Sequence, residues 1–312
     1  MIRAPQPWES DLSERTKVMC VFGTRPEAIK LAPVILHLQA RPAEFEVCVC
    51  VTAQHRQMLD QVLELFSIRP DIDLNLMKPG QDLFDLTANV ILAMREPLRS
   101  VRPDWVLVQG DTTTVWAGAL AAFYEGVRVG HVEAGLRTFD KRQPFPEEIN
   151  RRLCTALTDL HFAPTEQSRA NLLSERVTPS QIVVTGNTVI DALHWVLERV
   201  LRDPPDEVRE LQRWVAQHVG DRRIVLITGH RRESFGEGFE NICHAIATLA
   251  GQFPDGHWVY PVHLNPQVQE PVRRVLGDVS NVHLLSPLSY APFSWLMQRS
   301  TLILTDSGGV QE

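Results

Sequence analysis

Residues 17–40 read KVMCVFGTRPEAIKLAPVILHLQA. Val18 to Phe22 form an unbroken apolar run, the pattern of a strand buried on both faces of a sheet. Gly23 and Thr24 break the run, and Pro26 then opens a stretch with helical spacing. A buried strand, a glycine turn and a Pro-started helix make one βα unit of a parallel sheet.

The same grammar extends outward through the chain. EFEVCVCV (44–51), IDLNL (72–76), DWVLVQG (104–110), VRVGHV (127–132), DLHFAP (159–164) and QIVVTG (181–186) read as further strands. Helical patterns lie between them, as in QHRQMLDQVLELF (54–66) and DLFDLTANVILAMREPLRSV (82–101). The polar segment LERVLRDPPDEVRE (197–210) carries a Pro-Pro and reads as a linker zone. Strand-like runs then resume with RRIVLITGH (222–230), HWVYPVH (257–263), NVHLL (281–285) and TLILTD (301–306), with helices expected over 237–250 and near 265–276. The expected fold class is therefore α/β, with two doubly wound, Rossmann-like domains. Residues 1–16 are expected to be a flexible extension, 17–186 an N-terminal domain and 187–312 a C-terminal domain. The last domain reads as incomplete, because DSGGVQE stops one turn into a helix directly after a strand.

Composition narrows the function. Of the 312 residues, 44% are hydrophobic and 22% charged, a soluble globular profile without a membrane span or an apolar leader run. Lys and Arg total 31 against 38 Asp and Glu, a net charge of −7. That balance argues against a nucleic-acid binder and requires local cations for any anionic ligand. The five cysteines show no metal or disulfide spacing and read as small buried hydrophobes, which fits a reducing cytoplasm. The histidines form no HxH or HExxH cluster, so no metal is expected.

In parallel sheets, ligands bind beyond the carboxyl ends of the strands. The residues at those ends form a coherent set. Gly23-Thr24-Arg25-Pro26-Glu27 follows the first strand, with Lys30 one turn on. Gln54-His55-Arg56-Gln57 follows the second, Gly110-Asp111-Thr112 the fourth, and Glu133-Ala134-Gly135-Leu136-Arg137 the fifth. Residues 129–152, VGHVEAGLRTFDKRQPFPEEINRR, add Glu147 and Glu148 at a helix start behind Pro146, and Arg151 a turn later. The second half contributes Thr228-Gly229-His230, His263-Leu264-Asn265 and Asp306-Ser307-Gly308-Gly309. Taken singly, each has a structural reading: a tight turn, an N-cap at Asp111, hydrogen-bonded interior histidines. Their concurrence points to one anionic ligand in a cleft between the domains. Ser307, Gly308 and Gly309 sit where backbone N–H groups and a helix dipole can hold a phosphate. Neither the P-loop nor the GxGxxG spacing is present, so a nucleotide diphosphate ester is favoured over ATP or NAD.

Ten segments together resemble the non-hydrolysing UDP-N-acetylglucosamine 2-epimerases of bacteria: VFGTRPEAIKLAPVI, TAQHRQMLDQVL, QGDTTTV, GHVEAGLRT, FPEEINRR, FAPTEQSRANLL, VTGNTVIDAL, TGHRRES, YPVHLNP and LTDSGGVQE. They span residues 21 to 312 in family order. The resemblance implies a glycosyltransferase-B-like fold and reversible inversion at C2 of the sugar, giving UDP-N-acetylmannosamine. It places Arg25, Lys30, Asp111, Glu133, Glu147, Arg151 and His230 at active-site positions and Ser307 at the nucleotide. Gln54, Gln57 and His263 match residues that some relatives use for a second, activating UDP-sugar. Pro79 and Gly80 stand where activated relatives carry a charged pair, a departure from that effector pattern. The family also continues past Gln311-Glu312 into a further glutamate. Homodimers and a cytoplasmic location are implied, with UDP-N-acetylglucosamine and UDP as the partners.

The chemistry explains why such residues are needed. No carbonyl is attached to C2 of an N-acetylhexosamine, so its proton is not acidic. Departure of UDP from C1 makes the ring oxocarbenium-like and acidifies C2–H, and re-addition from a glycal completes the inversion. Such a site needs cations around the leaving diphosphate and carboxylates around the sugar. Arg25, His230 and the Ser307 turn suit the first task, and Asp111, Glu133 and Glu147 the second. No metal or redox cofactor is implied. A hydrolysing 2-epimerase, a glycosyltransferase of the same fold and a non-catalytic UDP-sugar-binding fragment are the alternatives.

Overall fold

The structure is a computed structural model that describes residues 15–52, 56–78, 80–229 and 235–311, with Arg56 and Gln57 described by their backbone alone. The chain divides into two compact units, Met1–Ala192 and Leu193–Glu312.

The first unit holds a seven-stranded parallel sheet. Its strands are β1 (Thr16–Phe22), β2 (Phe45–Val51), β3 (Ile72–Asp73), β4 (Trp105–Gln109), β5 (Arg128–Val132), β6 (Leu160–Ala163) and β7 (Ile182–Val184). Helices α1 (Arg25–Gln39), α2 (Arg56–Leu65), α3 (Leu83–Val101), α4 (Thr113–Tyr124), α5 (Glu147–Leu157) and α6 (Glu166–Ser174) connect them. The strand order is β3-β2-β1-β4-β5-β6-β7, so the winding reverses between β1 and β4. In open α/β sheets the carboxyl ends of the strands beside such a switch point are where ligands bind.

The apolar run that decided the fold behaves as its composition requires. Val18 through Phe22 are all buried. Alternate residues Met19 and Val21 join Val90 and Met94 of α3 and Val115 and Ala119 of α4 in one core cluster, and the even-numbered residues face the other side of the sheet. Ile29, Leu31, Ala32 and Ile35 of α1 and Leu59, Val62 and Leu63 of α2 are likewise buried within the fold. Those seven residues are therefore core, whereas Met58 of α2 is exposed. Of the five free cysteines, four are buried and Cys48 is half-buried. Burial pushes the Cys20, Cys50 and Cys154 thiols up to about 12, so they remain protonated and pack as apolar groups.

The third strand is shorter than IDLNL suggests. The Asp73 side chain accepts the Asn75 N–H at 3.0 Å, and Asn75 turns to φ 45°, which ends the extended run after two residues.

Helix α7 (Thr188–Arg202) contains the division between the units, at Ala192, and Pro204-Pro205 separates it from α8 (Asp206–His218). The Pro-Pro thus lies inside the second unit. That unit holds β8 (Arg223–Ile227), β9 (Gly256–Pro261), β10 (Val282–Leu285) and β11 (Leu302–Leu304), with α9 (Glu237–Gln252), α10 (Pro266–Leu276), α11 (Tyr290–Arg299) and the single turn α12 (Gly308–Gln311). The sheet is parallel in the order β10-β9-β8-β11, and its winding reverses between β8 and β11. Among the described residues no helix is long and apolar enough to cross a membrane.

Candidate active site

The switch point of the first sheet is braced from within. Gly23 ends β1, and a Cβ there would stand 2.0 Å from the Thr52 hydroxyl, so only glycine lets the chain turn this close to β2. Glu27, buried in the first turn of α1, accepts the Gly23 and Thr24 N–H groups at 3.0 and 2.6 Å and the Thr112 hydroxyl at 2.7 Å. It therefore ties the loop after β1 to the loop after β4. Burial pushes its carboxyl up from the ordinary range, and these hydrogen bonds pull the other way. Thr112, not Asp111, occupies the N-cap position of α4, with its hydroxyl turned to Glu27 rather than to the helix, so Asp111 does not hold the structural role its position suggests.

Asp111 is held from α5. Arg151 Nε and Nη2 both donate to Asp111 Oδ2, at 3.0 and 2.7 Å, and Asn150 donates to the Asp111 carbonyl at 2.8 Å. Asp111 Oδ1 forms no hydrogen bond with the described residues. Glu147 opens α5 half-buried, and its carboxylate has no ion pair among the described residues. Its neighbour Glu148 is fully buried.

Glu133 follows β5 with φ 65°, a left-handed conformation that a non-glycine residue adopts at a cost. The turn aims its carboxylate back over the strand ends. Lys30 Nζ lies 2.5 and 2.7 Å from its two oxygens, Asn187 donates to Oε1 at 3.2 Å, and Gln109 donates to Oε2. The Lys30 and Glu133 side chains are only 18% and 8% exposed, so this ion pair is well shielded from water. A Cβ on Gly110 would lie 3.8 Å from Glu133 Oε2, which places the carboxylate beside the residue preceding Asp111. Gln109 and Asn187 are site residues that the sequence did not single out. Gln109 is the last residue of β4, and a strand-end reading that began one position earlier finds it.

His131 and Arg137 support the site from below. Burial drives His131 down to about 4, so it is neutral, and its Nε2 meets the Gly110 carbonyl at 2.7 Å. A carbonyl only accepts, so Nε2 carries the proton. Arg137, which the sequence places among groups suited to an anionic ligand, is not available for one. Its side chain is fully buried, paired through Nε and Nη2 with Glu175 at 2.8 Å each, and it also donates to Thr155 and to its own neighbour's carbonyl. That pairing, chiefly the Arg137 hydrogen bonds, holds the Glu175 carboxyl below its usual range.

A sequence profile of the UDP-N-acetylglucosamine 2-epimerase family matches residues 37–312. The chain belongs to this epimerase family. It is 57% identical over 297 residues to the UDP-N-acetylglucosamine 2-epimerase of Escherichia coli K12, covering 95% of this chain and 78% of that protein. The Bacillus subtilis enzyme of the same name is 51% identical over 96% of this chain and 76% of its own length. The crystal structure of the Neisseria meningitidis UDP-GlcNAc 2-epimerase bound to UDP-GlcNAc superposes with a TM-score of 0.86 and 51% identity, over 95% of this chain and 79% of that one. The paired doubly wound units agree with the glycosyltransferase-B-like fold.

Within this epimerase family member, the first unit brings Lys30, Glu133, Asp111 and Arg151 to adjacent strand ends, with Glu147 on the helix that grips Asp111. Arg25 starts α1, half-buried, in the loop braced by Glu27. In the second unit Thr228 and Thr305 bridge the ends of β8 and β11 at 2.5 Å, and the Thr305 hydroxyl also accepts the Ser307 N–H at 3.0 Å. Ser307's amide is thus engaged. Gly308 and Gly309 are exposed, with no described residue within 4 Å of a Cβ position on either. His263 is exposed after β9 and accepts the Asn265 N–H on Nδ1 at 3.1 Å, so it is not an interior histidine. His230, Gln54 and the Gln57 side chain lie outside the described residues. Among the described residues no cluster of His, Cys, Asp and Glu is placed to hold a metal ion.

Proposed function

We propose that this chain interconverts UDP-N-acetylglucosamine and UDP-N-acetylmannosamine by inversion at C2, through elimination and re-addition of UDP. The observation that carries the reading is the placement of Asp111 and Glu133 beyond the ends of the neighbouring strands β4 and β5, beside the switch point, each oriented by a cation, with Glu147 on the adjoining helix. Family membership at 57% identity to a protein named for this reaction supports the substrate.

The geometry divides the labour among the carboxylates. Glu133 accepts from Lys30, Gln109 and Asn187 and so serves as a fixed negative charge facing the sugar. Asp111 has one oxygen engaged and one open, and Glu147 is unpartnered among the described residues, so these two carry the protons to and from C2. Arg25, His230 and the Ser307-Gly308-Gly309 turn are assigned to the leaving diphosphate. Gln54, Gln57 and His263 are assigned to a second, regulatory UDP-sugar. The protein acts without a cofactor, as a cytoplasmic homodimer. Exposed Phe84 and Leu92 of α3 and Phe123 and Tyr124 of α4, two helices packed together, offer apolar surface for that association.

Chromatography of a UDP-N-acetylglucosamine incubation tests the reading. An equilibrium mixture of the two UDP-sugars with no net release of UDP is expected. Accumulation of UDP with free N-acetylmannosamine would replace it with the hydrolysing reaction, and no product would remove the proposal.

A further inference from the structure

Glu147 and Glu148 are adjacent in sequence and opposite in circumstance. Glu147 is half-exposed, whereas Glu148 is completely buried. A buried carboxylate persists only where donors meet it, and three do. Phe139 N–H donates to Oε1 at 3.2 Å, Thr138 N–H to Oε2 at 3.1 Å, and Arg151 Nη1 to Oε2 at 3.3 Å. Glu148 and Arg151 are three residues apart, one turn along the same face of α5.

The guanidinium is a rigid planar fork, so contacts at its two ends fix its plane. One edge, Nε and Nη2, closes on Asp111 Oδ2, and the remaining nitrogen, Nη1, closes on Glu148. Removing the Glu148 anchor frees Arg151 to rotate about its long stem, and Asp111 Oδ2 loses its only side-chain partner among the described residues. The next turn of α5 is pinned separately. Thr155 donates to the Arg151 carbonyl at 3.0 Å and accepts from buried Arg137, which is locked to Glu175. The backbone of α5 therefore does not depend on Glu148 alone, whereas the orientation of the Arg151 head does.

We propose that Glu148 is a positioning residue for Asp111 in the epimerisation, acting through Arg151 and referencing both to the backbone of residues 138–139. The inference rests on the reading of Asp111 as a carboxylate of that reaction. It assigns no contact with substrate to Glu148, so its loss lowers turnover without weakening UDP-sugar binding.

The test is the Glu148→Gln enzyme, of nearly the same volume, whose amide keeps one acceptor oxygen but sets an NH₂ group against converging donors. Turnover per UDP-binding site is expected to fall by about 10- to 100-fold, the scale of a misplaced catalytic group, with KM changed by no more than about threefold. In an Arg151→Met background, Glu148→Gln is expected to cause no further loss, because the residue it acts through is already gone. Turnover within about twofold of the parent, or an equal multiplicative loss in both backgrounds, overturns the proposal. The Arg151 Nε–H resonance, assigned by its absence from Arg151→Lys, supplies a readout independent of activity. Slow solvent exchange in the parent and fast exchange in Glu148→Gln is expected, and unchanged exchange overturns the positioning role. A parent enzyme without epimerase activity would instead remove the functional reading, and the exchange measurement would still decide whether Glu148 holds Arg151.

Discussion

Lowering the pH from 7 to 5 should weaken the first unit through His131, a completely buried histidine beneath the site. The imidazole is fully buried and neutral in the folded protein, pushed down from 6.5 to about 4 chiefly by burial, with the Arg137 and Arg151 charges adding to the shift. In the unfolded chain it titrates near 6.5. Above that value neither state binds a proton there and pH has no effect through this group. Below it the unfolded chain binds a proton that the folded chain refuses, so stability declines as pH falls until the folded group itself titrates. At pH 5 the difference amounts to about 2 kcal/mol, with a slope approaching 1.4 kcal/mol per pH unit. Replacing His131 with Gln keeps a donor near the Nε2 position for the Gly110 carbonyl and removes the titration. Urea unfolding of both proteins from pH 7 to 5 provides the assay. The variant should start less stable at pH 7 and lose less on acidification, its slope smaller by about 1.4 kcal/mol per unit. Parallel slopes would refute the argument, because they would mean that His131 gains its proton as readily in the folded state as outside it.

Three further outcomes follow from the same structure. Asp111→Asn and Glu147→Gln should each lower turnover by about 10²–10⁴-fold while calorimetric UDP binding stays close to the parent's; parallel loss of UDP affinity would move these carboxylates out of the proton-transfer role. Gly135→Ala should destabilise the protein by about 2–4 kcal/mol, since Gly135 has φ 91° and a Cβ there would stand 2.3 Å from the Ser168 carbonyl oxygen; a thermal midpoint unchanged from the parent's would contradict that contact. Arg137→Met should cost about 2–4 kcal/mol by removing the buried partner of Glu175, which keeps only Arg152 at 3.9 Å, whereas Arg137→Met with Glu175→Leu should recover part of the loss; equal instability in both would show that the pairing is not the source.

Much of this architecture is legible in the residues themselves. Val18–Phe22, Val106–Val108 and Ile224–Ile227 read as buried strands because both faces of a parallel sheet are covered, and continuous apolar runs follow. Glu147-Glu148 behind Pro146 reads as a helix start and is one. Which of those two carboxylates is buried depends on the azimuth of α5 against the loop at 138–139, and a local pattern does not carry that, although the spacing of Glu148 and Arg151 is a usable hint. Arg137 shows the converse. Its place just beyond a strand suits a ligand, but the partner that engages it, Glu175, lies at the end of α6 and is recognisable only in three dimensions. Likewise Asn187 reaches Glu133 from beyond β7, across 54 positions of sequence.

The most direct test of the central claim, that carboxylates beside the switch point break and remake the C2–H bond, is proton NMR of UDP-N-acetylglucosamine incubated with the protein in D₂O. The account predicts growth of the UDP-N-acetylmannosamine anomeric signal, loss of the C2–H signals from both sugars, and deuterium at C2. Interconversion with C2–H fully retained would contradict it.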